Sequence, residues 1–209
     1  MLKISKNLTT RNYTPMVNKR NMWIVIHYVG AVSTAFDNTE YFKSAYRGAS
    51  ANYFVDANSI WQCVEDDNKA WHVGANKYYN SCRNENSIGI EMCCKKKDGK
   101  WYFEPETEIK TMQLTKYLMK LHNIPIERVC RHYDVTRKVC GEPYVRDPIA
   151  WRGFIEGVKV MDEKVVTLEE KIEAIKNYYG YDDNTIKYFQ FYRYGTALLD
   201  KLYDKVKMA

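Results

Sequence analysis

Proline and glycine are sparse in this chain, 5 and 10 residues of 209, which argues against collagen-like repeats and Pro/Gly-rich low-complexity sequence. No run of about 18 consecutive apolar residues occurs, so no membrane-spanning helix and no membrane insertion are expected. The opening stretch MLKISKNLTTRNYT has lysines but lacks the apolar core of an export signal. Synthesis in the cytoplasm without a signal peptide is the expectation from it. A basic-aromatic motif of the nucleic-acid-binding kind is also missing, and nucleic acid is not an expected partner. Internal repeats are absent.

What is present describes an ordinary folded chain: 45% hydrophobic and 28% charged residues, long enough for one well-buried domain with an appendage. The net charge of +6 is unevenly placed. Residues 1–160 carry 24 Lys+Arg against 17 Asp+Glu, while 161–209 carry 8 against 9. A basic body suits an anionic partner such as an acidic polymer, although charge alone is equally explained by solubility. The six cysteines at 63, 82, 93, 94, 130 and 140 have no secretory context, so reduced thiols are expected. The adjacent Cys93 and Cys94 read as small core residues on opposite faces of a strand.

Along the chain, MWIVIHYVG (22–30) reads as a buried strand carrying His27 near its end, and NTEYFKSAYRG (38–48) as a helix stopped by glycine. ANYFVD and IWQCVE flank a turn-forming ANS and predict a hairpin. SIGIEMCC (87–94) predicts a second buried strand followed by an exposed KKKDGK turn, and residues 105–123 an amphipathic helix starting after a proline. ERVCRH (127–132) predicts a short strand that delivers His132, and residues 147–160 a helix entered through Asp-Pro. Alternating strands and helices predict an α/β fold, a central mixed sheet flanked by helices, over residues 1–160. After residue 160 the character changes. The capping box TLEE (167–170) and a Gly stop within YYGYDDNT predict a small helical extension of two helices, about 167–179 and 184–206.

The stretch RHYDVTRKVC (131–140) places a histidine, a lysine and a cysteine close together. A disulfide, a nucleophile, a metal ligand and a buried filler are all open for that cysteine from the residues alone. His27, His132 and Cys140 together are chemically suited to a catalytic zinc site with its fourth position left to water, but the spacing is too loose to be diagnostic. Five stretches in order, IVIHYVG (24–30), ANYFVDANSIWQCV (51–64), AWHVGANK (70–77), NSIGIEM (86–92) and RHYDVTRKVC, resemble the zinc-dependent N-acetylmuramoyl-L-alanine amidase family. That family includes phage endolysins of the T7-lysozyme type, bacterial anhydro-muropeptide amidases and peptidoglycan recognition proteins. The resemblance implies one catalytic Zn2+ held by His27, His132 and Cys140, the last being Asp in many bacterial relatives.

It further implies Lys138 as the cation beside the scissile carbonyl and Glu91 as the general base. Some relatives use a tyrosine base at the position that is Ala51 here, and Tyr53, two residues on, reads as a packing residue. His72 and Asn52 resemble residues near the substrate and the metal. Two departures stand out: relatives commonly have Gly where Arg137 stands, and Cys-Pro where this chain has Cys140-Gly141. The implied function is hydrolysis of the amide between N-acetylmuramic acid and L-alanine in bacterial peptidoglycan, acting at the cell wall in the manner of a phage or prophage endolysin. Alternatives of the same resemblance are a cytoplasmic muropeptide-recycling amidase and a non-catalytic peptidoglycan-recognition module. Residues 161–209 are expected to be either a cell-wall-binding unit or an oligomerisation unit, homo-oligomers through their helices belonging to the second alternative.

Overall fold

A computed structural model describes residues 2–161, 168–191 and 195–207 of the chain. It falls into two compact units, residues 1–161 and 162–209. The first begins with β1 (Ser5–Lys6), β2 (Tyr13–Thr14), β3 (Trp23–Tyr28), α1 (Ala35–Ser44), β4 (Tyr53–Val55), β5 (Ile60–Gln62) and β6 (Lys69–Ala70). It continues with β7 (Ser87–Met92), β8 (Lys95–Lys97), β9 (Lys100–Tyr102), α2 (Pro105–His122), β10 (Val129–Arg131), α3 (His132–Thr136), α4 (Glu142–Arg146) and α5 (Pro148–Val160).

Six strands form one sheet in the order β1-β5-β4-β7-β3-β10, parallel throughout except for the β4–β5 hairpin. The mixed sheet agrees with the expected fold class. Its hairpin turns where Asp56 accepts hydrogen bonds from the backbone N–H groups of Asn58 (2.8 Å) and Ser59 (2.7 Å). The KKKDGK segment is itself a hairpin, β8–β9, with Asp98 and Gly99 at φ 50° and 78°, the left-handed pair that a tight two-residue turn requires.

Period-two alternation divides the central strands into two faces. Ile24 and Ile26 of β3, Ile88, Ile90 and Met92 of β7, and Tyr53 and Val55 of β4 join Leu114 and Leu118 of α2 and Phe154 and Val158 of α5 in the main core. Val25 belongs to a second apolar cluster with Cys130 and Val135, and Phe54 to a third with Ala35 and Ala51. His27 and Glu91 alternate with the main-core residues and so stand on the face turned away from α2 and α5. Cys94 packs in the main core and Cys93 against the α1 cluster, and all six cysteines are free and buried.

Several boundaries differ from expectation. Helix α1 covers Ala35–Ser44 rather than 38–48, because Thr34 and Asp37 form a reciprocal capping box that starts it early, and Ala45 in extended backbone ends it before Gly48. Asp147 caps α5 as its sequence suggested, accepting from the N–H groups of Ile149 and Ala150. The second unit contains three helices among the described residues, α6 (Leu168–Tyr179), α7 (Asp183–Phe191) and α8 (Gly195–Lys207), where two were expected. Residues 192–194, between the last two, lie outside the described residues. Ile175, Ile186 and Leu199 form the centre of this unit's own core. The TLEE capping box begins at Thr167, which lies outside the described residues. No helix among the described residues is long and apolar enough to cross a membrane.

Candidate metal centre and active site

The parallel register brings the histidines together. His27 on β3 is the register partner of Glu91 on β7, while Arg131 on β10 pairs with Ile26, so His132, the next residue, emerges beside His27. This places the group at the C-terminal ends of parallel strands, where open α/β sheets hold their ligands. Cys140 arrives on the loop after α3. Arg137 ends α3 at φ 66°, a left-handed conformation that L-residues rarely adopt and that glycine adopts without strain. The loop then turns so that the Cys140 N–H donates to the Lys138 carbonyl (2.8 Å).

His27, His132 and Cys140 are all buried, and one potential ligand atom from each lies within 4.8 Å of the others. His27 Nδ1 is 3.1 Å from His132 Nδ1 and 3.5 Å from Cys140 Sγ. A tetrahedral zinc with Zn–N and Zn–S bonds of about 2.05 Å and 2.3 Å has N···N and N···S edges of about 3.3 Å and 3.6 Å. The donor set suits zinc, and the two edges that share His27 Nδ1 match this geometry, the set as a whole spanning up to 4.8 Å. Glu91 stands next to it, with Oε1 3.9 Å from His27 Nδ1 and with a buried Oε2 that has no hydrogen-bond partner.

The electrostatics follow from burial. Desolvation is the largest cause holding His27 well below the usual imidazole range, reinforced by the neighbouring His72 and His132. It also holds His132 down to about 4 and His72 to about 3. The same desolvation pushes the Glu91 carboxyl up to about 8 and the Cys140 thiol up to about 12. Lys138 is exposed, two residues from Cys140, and its positive charge lowers the proton affinity of His27, His132, Glu91 and Cys140 alike. The imidazoles are thus neutral, as ligation requires, while the thiol and the carboxyl would gain from a cation between them.

A cleft of about 490 Å³ adjoins this cluster, lined by Val29, Ser33, Tyr41, Phe42, Phe54 and Glu91 among others. Glu91 is the residue shared by cleft and cluster.

The other sequence-derived positions lie around this group in different ways. His72 is buried behind His27, its Nδ1 3.0 Å from His27 Nε2 and its Nε2 3.1 Å from Ser87 Oγ, so both ring nitrogens face protein partners. Asn52 is fully buried; its Oδ1 accepts from the Gly89 N–H (3.0 Å) and its Nδ2 donates to the carbonyls of Val64 (3.3 Å) and Glu65 (3.2 Å). Its amide joins strand to loop and has these three bonds to keep. Asn52→Ala should leave the Gly89 N–H without its side-chain acceptor and cost about 1–3 kcal/mol in chemical denaturation. Metal affinity should be largely kept, and a large loss of it instead would indicate a direct supporting role. Tyr53 points into the main core, and its hydroxyl donates to Asp66 Oδ1 (2.8 Å). Ser87 and Gly89 were not singled out by sequence reasoning, although their signal was there: they alternate with Ile88 and Ile90 onto the face of Glu91.

Comparison with known proteins agrees with this geometry. The sequence pattern described as N-acetylmuramoyl-L-alanine amidase matches residues 18–143. Among curated proteins, the N-acetylmuramoyl-L-alanine amidase CwlL of Bacillus licheniformis is 32% identical over 161 residues, covering 70% of this chain and 44% of that protein. A probable N-acetylmuramoyl-L-alanine amidase of the same organism is 34% identical over 134 residues, 59% of this chain and 37% of that protein. The chain thus spans less than half the length of these two relatives. Among solved structures, a mutant form of PlyL is 25% identical with a TM-score of 0.65, covering 75% of this chain and 98% of that one. The PlyG catalytic domain is likewise 25% identical with a TM-score of 0.65, over 75% and 93% of the two chains. With the pattern matched over more than half its length, through both histidines and the cysteine that converge at the strand ends, the chain belongs to the N-acetylmuramoyl-L-alanine amidase family.

Proposed function

We propose that this chain is a zinc-dependent N-acetylmuramoyl-L-alanine amidase that hydrolyses the amide between the lactyl group of N-acetylmuramic acid and L-alanine in bacterial peptidoglycan. The observation that carries the reading is the convergence of His27, His132 and Cys140 within 4.8 Å beside Glu91, at the edge of a cleft. Zinc held by these three side chains would supply Lewis acidity to the scissile carbonyl and to the attacking water. Glu91 takes a proton from that water and passes it to the leaving amine, a task for which its carboxylate stands beside the ligand cluster at the edge of the cleft. Lys138 offers its ammonium to the oxygen on which negative charge develops. The cleft beside Glu91 receives the substrate on the same side.

The test is digestion of purified peptidoglycan followed by mass spectrometry of the fragments. New L-alanine amino termini are the expected product, and new reducing sugar ends in their place would overturn the amidase reading. Tyr53 is outside this chemistry, so Tyr53→Phe should leave the turnover rate within a few-fold of the parent. Its cost should be about 1 kcal/mol of stability, since Asp66 keeps its contacts with Gln62 and His122. Loss of turnover in that variant would move the base from Glu91 to Tyr53.

An endolysin, released to the cell wall from the cytoplasm, is the biological setting this reading supports best. Residues 162–209 are assigned wall binding, because they form a separate unit with its own core and a tyrosine-rich composition. A chain ending at residue 161 should stay folded and keep activity on small soluble muropeptides while losing much of its lysis of intact cells. Undiminished lysis would remove the targeting role.

A further inference from the structure

His27 can serve a metal through Nδ1 only if its proton sits on Nε2, and the structure contains a set of groups that decides this. The Ser87 hydroxyl has one proton and lies 2.5 Å from the Arg83 carbonyl, which can only accept. That bond takes the serine proton, so Ser87 Oγ can meet His72 Nε2, 3.1 Å away, only as an acceptor. His72 therefore carries its proton on Nε2. Its Nδ1 faces His27 Nε2 at 3.0 Å, and a hydrogen bond between the two rings needs one proton. Were that proton on His72 Nδ1, His72 would be a buried imidazolium between His27 and Ser87, neither of them anionic, which is disfavoured. The proton belongs to His27 Nε2, and the lone pair of His27 Nδ1 points at His132 and Cys140.

The surroundings of the His72 ring are shaped for this task. A Cβ at Gly89 would lie 2.6 Å from His72 Cγ and 2.8 Å from His72 Nδ1, so only glycine lets the ring pack against β7 at this depth. Asn84 Oδ1 accepts from the backbone N–H groups of His72 (3.0 Å) and Val73 (2.8 Å), holding the segment that carries the ring.

We propose that His72 is a positioning residue which, backed by Ser87 and the Arg83 carbonyl, sets the tautomer and orientation of His27 before any metal arrives. Ligating histidines usually direct their second nitrogen to a carboxylate, a backbone carbonyl or water. Here a second neutral imidazole fills that place and relays the direction of hydrogen bonding from a backbone carbonyl two groups away. The inference rests on the reading of His27 as a zinc ligand.

Nitrogen NMR of the imidazole groups in the full-length chain, metal-free and zinc-loaded, tests it. His72 should show a single tautomer, protonated on Nε2 and bare on Nδ1, in both states. A proton on His72 Nδ1, or a mixture of tautomers in the metal-free chain, would overturn the proposal. Zinc affinity measured by competition with a chelator gives a second readout. His72→Leu should weaken binding about 10–100-fold, while His72→Asn, whose amide oxygen can stand in for Nδ1, should recover most of it. Equal affinity in His72→Leu and the parent would refute the positioning role while leaving the zinc site intact. A parent chain that takes up no zinc would instead refute the reading of the site itself. Should His72→Leu fail to fold, the spectrum of the parent chain still decides.

Discussion

Cys140→Ser should abolish stoichiometric zinc binding and, with it, turnover of peptidoglycan. The thiol at this position is buried and its pKa is pushed up to about 12, so the bare site does not favour the thiolate that ligation requires. A cation beside it, together with the positive charge of Lys138, brings the thiolate within reach. Serine is shorter, and its hydroxyl ionises far less readily than a thiol, so the third donor and its negative charge are lost together. The expected drop in zinc affinity exceeds the roughly 100-fold that removal of a supporting residue costs. Cys140→Asp should restore part of it, because a carboxylate is an acceptable zinc donor and is already ionised at neutral pH. Metal analysis of the purified variants reads this directly, and full zinc occupancy in Cys140→Ser would reject the ligand assignment.

Glu91→Gln should have the opposite signature, with zinc retained and catalysis lost by at least about 10²-fold, as expected for a missing general base. Glutamine has nearly the same shape but no basic oxygen to take the proton from water. Its amide can occupy the same position beside His27, where Glu91 Oε1 lies 3.9 Å from Nδ1 without completing the ligand set. Removing a partly buried carboxyl with an unpaired Oε2 should also leave the fold at least as stable as before, since no hydrogen bond to Oε2 is broken. A variant that keeps zinc and most of its turnover would show that the proton is taken by another group.

Much of the framework was legible from local pattern. The apolar runs around Val25 and Ile90 have the length and composition of buried strands, and the Pro-initiated amphipathic segment at 105–122 formed the expected helix. His27, His132 and Cys140 were named from residue type and from resemblance, because histidine and cysteine are few enough for their positions to carry information. Helix limits were less legible. The start of α1 depended on a capping box whose significance shows only when both of its hydrogen bonds form.

By itself, then, the sequence determined which segments become strands and helices and which side chains have the chemistry for a metal and a proton transfer, since those properties belong to single residues and their near neighbours. Only the tertiary structure decided which groups His72, Asn52 and Ser87 meet. Their partners are distant in sequence or lie across adjacent strands: His72 is 45 residues from His27, Asn52 is 37 from Gly89, and Ser87 is 15 from His72. The direction of a hydrogen bond depends on which groups face each other after folding. The same side chain can line a groove, join a strand to a loop or orient a ligand, and strand register together with the missing Cβ of Gly89 fixes which neighbours it faces.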